Sequence, residues 1–338
     1  MALGSLSKMG TTISLVRGIA AALVLLMPAL AAKAQTPSWR ITKTEWSAAD
    51  EKGFGIFLKA IAESDCKTSV ECLKGPWNPY RATDPASFEF HADCAKWVYM
   101  LRAYYASKHG LPFSYVSKIS GEGEDIRFSK TSNQALSRRD LVDTGKGIAA
   151  HAELKNIRVQ VWSATYRMDP AAESPVLQDF YSPKLQPGSI RPGTAIYDIN
   201  GHVVIVYEVT QDGRVLYVDA HPDESVTRGA FGPQIPASAA KLGGGFKNFR
   251  PLKLVGAVRQ ADGTLVGGRV VLARNDEIAD YSLEQYRGTA GSGDGFNARF
   301  DHENSSLDIF GYVRATMTAP KPKGSPAATI QTVAETIQ

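Results

Sequence analysis

GHVVIVYEVTQDGRVLYVDAHPD, from Gly201 to Asp223, is the stretch whose reading decides the fold. Two β-rich runs flank an Asp-Gly pair, the signature of a hairpin between antiparallel strands. With Asp212-Gly213 as a two-residue turn, Gln211 pairs with Arg214 and His202 falls opposite Asp223. Side chains alternate along a strand, so Asp219, His221 and Asp223 would share the face of His202. A slip of one residue would put Ala220 and Pro222 there instead. Upstream, Arg191-Pro192-Gly193 leads into another strand, TAIYDI. Downstream, VGAVRQADGTLVGGRVVL from Val255 to Leu272 reads as a second Asp-Gly hairpin. An antiparallel sheet is expected from Arg191 onward.

Helices are expected ahead of it. DCAKWVYMLRAYYASKHG, from Asp93 to Gly110, carries Trp97, Val98, Leu101 and Tyr105 at helical spacing, with Asp93 as cap and Gly110 as stop. From Ser47 to about Ser64, Phe54, Phe57, Leu58 and Ile61 recur on one helical face; Ser47 with Asp50 three residues on forms a capping signal, and Gly53 and Gly55 weaken it. FSYVSKI from Phe113 reads as a strand. GPWNPYRATDP, Gly75 to Pro85, is a Pro-rich loop whose Trp77 and Tyr80 are expected to pack or to line a groove. Residues 121–190 are polar and irregular around a strand-like run, Ile157 to Trp162, and read as an insertion of the substrate-facing kind. The expectation is an α+β fold in one domain, 35–318, followed by a disordered tail, 319–338.

Composition narrows the classes. The chain has 338 residues, 43% hydrophobic and 21% charged, too apolar and too sparsely charged for intrinsic disorder. Residues 1–34 contain no acid, run uncharged from Gly18 to Ala32 and end Ala32-Lys33-Ala34, the pattern of a secretory signal peptide. At about 15 residues the uncharged run is shorter than the roughly 20 needed to span a bilayer, so no stable membrane span is expected after cleavage. Loss of Lys8, Arg17 and Lys33 takes the formal charge from +4 to +1. No run of five or more Lys/Arg remains, and nucleic acid is not an expected partner. A periplasmic or secreted location follows.

Export makes the three cysteines informative. Cys66 and Cys72 are separated by five residues and form the default local disulfide in an oxidising compartment; so short a loop contributes roughly 2 kcal/mol. Cys94 is left over. Asp93 as N-cap puts Cys94 in the first helical turn, where free N–H groups and the helix dipole favour a thiolate and can receive an oxyanion. The alternative is a small buried hydrophobe. His202, opening its strand, is the candidate base, and Asp219 the first choice to orient it, with His221 second.

The order of Cys at a helix start, His at a strand start and a polar residue on the next strand resembles the papain-like superfamily. ADCAKW and IRPGTAIYDINGHVVIVYEV resemble the NlpC-type cell-wall endopeptidases, whereas LRAYYASKHGLPFSYVS, HVVIVYEV and VLYVDAHPD resemble transglutaminase-like proteins. With CLKGPWNPYRATDP, YVDAHPDES and GGGFKNFRP, the whole set over residues 66–251 is similar to a group of exported bacterial proteins related to both. The resemblance implies a papain-like core, with the nucleophile helix packed on an antiparallel sheet, and a thiol hydrolase with Cys94 as nucleophile, His202 as base and Asp219 as third residue. It also implies peptide or peptidoglycan as substrate and no cofactor. The chain departs from both branches in the 108-position separation of Cys94 and His202, and from the NlpC type in having Asp rather than His third.

Other residues carry alternatives. His91 and Asp93 flank the nucleophile as secondary candidates. His202, Asp219, His221 and Asp223 are metal-ligand types, yet no His-x-x-x-His pair accompanies them, and no metal is expected. Acyl transfer to an amine would use the same residues as hydrolysis. A non-catalytic envelope-binding scaffold, with Cys94 inert, is the competing class.

Overall fold

A computed structural model describes residues 38–291 and 293–319. The expected leader lies outside the described residues, as does the expected tail beyond Ala319. Six helices occur among them: α1 (Ala48–Ala62), α2 (Ser69–Lys74), α3 (Cys94–His109), α4 (Ala150–Gln160), α5 (Glu284–Arg287) and α6 (Ile309–Met317). The strands that matter here are β1 (Ser38–Trp39), β2 (Phe113–Ser120), β3 (Gln134–Leu141), β4 (Ile148–Ala149), β5 (Phe180–Tyr181), β6 (Ala195–Asp198), β7 (His202–Val209), β8 (Val215–Ala220), β9 (Val226–Ala230) and β10 (Gly245–Phe249). An α+β fold results, as the patterning requires.

The central sheet has the order β5-β10-β6-β7-β8-β9, every pair antiparallel. Alternation along β7 and β8 sorts their side chains between two cores. Val203, Ile205, Val218 and Ala220 join α1 and α3 on one face. Val204, Val206 and Val215 join Phe246 and the α6 residues Ile309, Val313 and Met317 on the other.

α3 is the most enclosed element. Apart from Lys96, every residue from Cys94 to Ala106 is buried, not only the face read from its spacing. Its polar side chains are satisfied in place: Tyr99 Oη donates to Asp179 Oδ2 at 2.6 Å, and Arg102 clasps Glu51 at 2.6 and 3.0 Å while lying 3.8 Å over the Trp46 ring. Burial, with Asp179 beside it, pushes the Tyr99 phenol well above its ordinary value. At the far end Gly110 adopts the left-handed conformation (φ 62°) that stops the helix. In α1 the capping box is complete: Asp50 N–H donates to Ser47 Oγ, and Ser47 N–H to Asp50 Oδ2. A Cβ on Gly53 would lie 2.2 Å from Tyr105 Oη and one on Gly55 2.9 Å from Pro192, so both glycines permit close packing.

Two readings are corrected. Ile157–Gln160 is the end of helix α4, and Val161 its C-cap, not part of a strand. Leu154 and Ile157 are buried at helical spacing, and Val161 beyond them, which a short apolar run conceals. Residues 121–190 accordingly hold regular structure: β3 completes a hairpin with β2, and α4 follows.

The Gly201–Asp223 hairpin is also built differently from the two-residue turn. Thr210, not Gln211, closes on Arg214, its N–H donating to the Arg214 carbonyl at 2.9 Å, and Gly213 (φ 77°) completes a three-residue loop. Farther along, the register shifts again between Val206 and Glu208, where Tyr207 is an extra residue in β7. Each shift moves the register by one, and together they restore parity. Beyond the bulge Ile205 pairs with Val218, which carried onward sets His202 level with His221 rather than Asp223. Asp219 and His221 therefore stay on the face of His202.

Cys66 and Cys72 are disulfide-bonded and fully buried around α2. That segment is stitched to the sheet by Val226 N–H to the Lys67 carbonyl, Ser69 N–H to the Glu224 carbonyl, and Arg228 to the carbonyls of Ala62, Ser64 and Cys66. In turn Ser69 Oγ donates to the Phe90 carbonyl and accepts from Ala92 N–H, fixing the approach to α3. The Pro-rich loop packs inward: Trp77 Nε1 donates to the Cys72 carbonyl, and Tyr80 lies against Phe57, Tyr104 and Tyr105.

Candidate active site

The start of α3 meets the start of β7. Asp93 caps the helix, its carboxylate accepting from Lys96 N–H at 3.2 Å and pairing with the Lys96 ammonium. Trp97 N–H goes to the Asp93 carbonyl. The N–H groups of Cys94 and Ala95 then remain as helix-start donors with no helical carbonyl to receive them. Asp93 thus serves as the cap; its carboxylate is occupied. Tyr166 Oη donates to the Ala95 carbonyl at 2.7 Å and pins this first turn.

Cys94 is the free thiol, 9% exposed, with Sγ 4.0 Å from the Gly201 carbonyl. Gly201 (φ 98°) occupies a conformation that a side chain would strain, at the bend between β6 and β7. His202, next in the chain, sends Nε2 to within 2.6 Å of Asp219 Oδ2 and neighbours Cys94, which helps to raise its pKa. With Nε2 engaged, Nδ1 is the nitrogen available to the thiol. Asp219 is almost wholly buried (side chain 3% exposed), and its second oxygen accepts from Thr227 Oγ1 at 2.6 Å. Burial opposes charge on His202, but the hydrogen bond to Asp219 and the neighbouring Cys94 and Asp219 outweigh it and raise the imidazole to about 10.

Of the secondary candidates, His221 joins this group and His91 does not. The His221 ring stacks on His202 with centroids 5.3 Å apart; its Nε2 lies 3.0 Å from Thr227 Oγ1 and 3.5 Å from Asp219 Oδ2. His91 Nδ1 pairs with Glu224 at 2.7 Å, and its Nε2 faces Glu89 at 3.4 Å. Asp223 turns to the backbone and hydroxyl of Ser225.

No family model, curated protein or solved structure matches this chain.

The arrangement has chemical capacity of a defined kind. A thiol at a helix start, a base against it and a buried carboxylate behind the base is what nucleophilic attack and proton return require. Three contributors were not singled out from the sequence. Thr227 pairs with Asp219 across β8 and β9, a relation readable only once the His221–Ser225 turn is known. Phe128 and Ser163, from the short turns Ile126–Phe128 and Ser163–Thr165, flank Gly201: a Cβ built there would lie 3.6 Å from the Phe128 ring and 3.7 Å from Ser163 Oγ. Phe128 is 53% exposed. Segments of the 121–190 stretch thus border the Gly201 bend, although no periodicity marks which.

Proposed function

We propose that the chain is an exported papain-like thiol hydrolase that cleaves amide bonds. The observation carrying this reading is the free thiol of Cys94 at the first turn of α3, beside His202, whose Nε2 lies 2.6 Å from buried Asp219. Cys94 attacks the carbonyl while its proton is held on His202 Nδ1. Asp219 fixes the ring and balances its charge, and the N–H groups of Cys94 and Ala95 receive the oxyanion. His202 then returns the proton to the leaving amine, and water, deprotonated by the same nitrogen, resolves the thioester.

The resemblance of ADCAKW and of the Gly-His strand to NlpC-type endopeptidases supports peptide or isopeptide bonds of peptidoglycan stems as substrate. The disulfide supports an extracytoplasmic location. Among the described residues no helix is long and apolar enough to cross a membrane. Asp at the third position, as in transglutaminase-like proteins, favours acyl transfer to an amine as the second reading; it differs only in which nucleophile resolves the thioester.

Iodoacetamide alkylation of the purified protein at neutral pH tests the dyad: Cys94 reacts quickly, and at least tenfold more slowly in His202→Ala. An unreactive thiol in the native protein would sink the enzyme reading. Mass spectrometry of peptidoglycan digests, with Cys94→Ser as control, tests the substrate; unchanged muropeptides rule out cell-wall cleavage.

A further inference from the structure

Three side chains aim nitrogen or oxygen ligand atoms at one place on the solvent side of this site. The candidate ligand atoms of His202, Asp219 and His221 all lie within 4.8 Å of one another. Both Nε2 atoms approach the same carboxylate oxygen, Asp219 Oδ2, at 2.6 and 3.5 Å. The two rings are nearly parallel (14°), with centroids 5.3 Å apart. His202 and His221 are 34% and 35% exposed at the side chain, open enough to admit a hydrated ion, whereas Asp219 is rigidly held by Thr227. The fourth ligand type on this face, Asp223, is bound to Ser225 and takes no part.

We propose that His202 Nε2, His221 Nε2 and a carboxylate oxygen of Asp219 form a site for a borderline transition ion of the Zn2+ class, and that its occupancy disables the base. Two imidazoles and a carboxylate suit zinc, with the remaining position left to water. Bonds of about 2.0–2.2 Å in a tetrahedron separate ligand atoms by about 3.4 Å. The 2.6 Å contact must open and the widest must close, by roughly an ångström each, which rotation of exposed rings supplies. The inhibitory consequence rests on the hydrolase reading; the binding does not. When the ion takes the Nε2 lone pair, the Nε2 proton leaves and the single remaining ring proton sits on Nδ1. Giving that proton to the leaving amine would leave an imidazolate, so the metal-bound ring can neither return a proton nor take one from water. The ion would therefore act as an inhibitor of the thiol chemistry and not as its cofactor.

The test uses the full mature chain carrying Cys94→Ser, so that no thiol can bind the ion, titrated with Zn2+ by calorimetry. One equivalent is expected to bind at micromolar concentration or tighter, and at least tenfold more weakly when His221→Ala is added. His221→Gln, which retains a hydrogen-bonding group toward Thr227, replaces it if the alanine variant does not fold. Nitrogen-15 spectra of the imidazoles report the geometry: Zn2+ should move Nε2 of His202 and His221 while His91 and His302 stay unchanged, with His202 Nδ1 in its protonated form. Binding that survives loss of His221, or a spectrum showing coordination through His202 Nδ1, overturns the proposal, as does absence of binding. A thiol that is inert without any metal would defeat the hydrolase reading alone, because the Cys94→Ser titration is independent of it.

Discussion

Two histidine–carboxylate pairs flank the start of α3, and they differ in almost everything but distance. His202 meets Asp219 at 2.6 Å, and His91, three residues ahead of Cys94, meets Glu224 at 2.7 Å. Asp219 is 3% exposed and Glu224 32%. The free nitrogen of the first ring is left to a thiol; that of the second faces another carboxylate, Glu89. An ion pair in water is worth about 0–1 kcal/mol, whereas removing one partner of a buried pair costs several. A short His–carboxylate contact is thus not a site in itself. Burial of the acid and the identity of the group across the ring separate a chemical device from a surface tie.

The largest effect is expected from Asp219→Asn. With the buried charge gone, the imidazole falls from about 10 toward the ordinary histidine range, because burial, which opposes protonation, is no longer outweighed by a carboxylate. His202 should then be largely neutral at pH 8, where in the native protein it is an imidazolium. NMR titration of the ring protons checks this, and the rate of the proposed hydrolysis should fall by about two to four orders of magnitude. His109 and His151, lowered by burial, serve as internal controls whose titrations Asp219→Asn should leave unmoved. A His202 titration that does not move would remove Asp219 from its role.

How this pair came to be readable from the sequence is instructive. The face shared by His202, Asp219 and His221 followed from period-two alternation, yet the turn assumed for it was wrong by one residue. Tyr207 then bulged out of β7 and shifted the register by one more. Only parity survived, because two odd errors make an even one. Local turn chemistry places Gly213 in a left-handed conformation but does not say whether the loop has two residues or three. Asp262-Gly263 closes the same way, with Gln260 N–H donating to the Thr264 carbonyl, so Gln/Ala-Asp-Gly with the three-residue loop is a local preference of this chain. By contrast the cap of α1, the stop of α3 and the 66–72 disulfide were legible because each depends on neighbours in sequence. α4 was not, since its buried face is defined by packing against α3. The same holds for Tyr166 at the first turn of α3 and Phe128 beside Gly201, whose places depend on long-range contacts.

A second way to sharpen the comparison is to weaken the support of Asp219 without touching its charge. Thr227→Val removes the hydroxyl that donates to Asp219 Oδ1 and leaves a buried acceptor short of a partner. A loss of about 1–3 kcal/mol in denaturant unfolding is expected. Alkylation of Cys94 should slow less than in Asp219→Asn, since the oxygen facing His202 is retained. The disulfide bears on the other pair. Replacing Cys66 and Cys72 together by Ala frees the segment whose Ser69 N–H holds the Glu224 carbonyl, at a cost of about 2 kcal/mol by loop-closure entropy. Equal unfolding midpoints in reduced and oxidised protein would refute that bracing role.

The smallest effect is expected at the more exposed pair, His91 with Glu224, and its smallness is the point. Glu224→Gln removes the charge opposite His91 and retains side-chain hydrogen bonding. Glu224 also carries a left-handed backbone (φ 67°), which Gln tolerates no worse than Glu. Glu89, 3.4 Å from the other nitrogen, still offers His91 a carboxylate. Unfolding should therefore change by less than about 1 kcal/mol, and the neutral-pH alkylation rate of Cys94 by less than about twofold, because His91 has no part in holding the thiol proton. A change in that rate rivalling the one from Asp219→Asn would break the distinction between the pairs and draw His91 into the chemistry of Cys94.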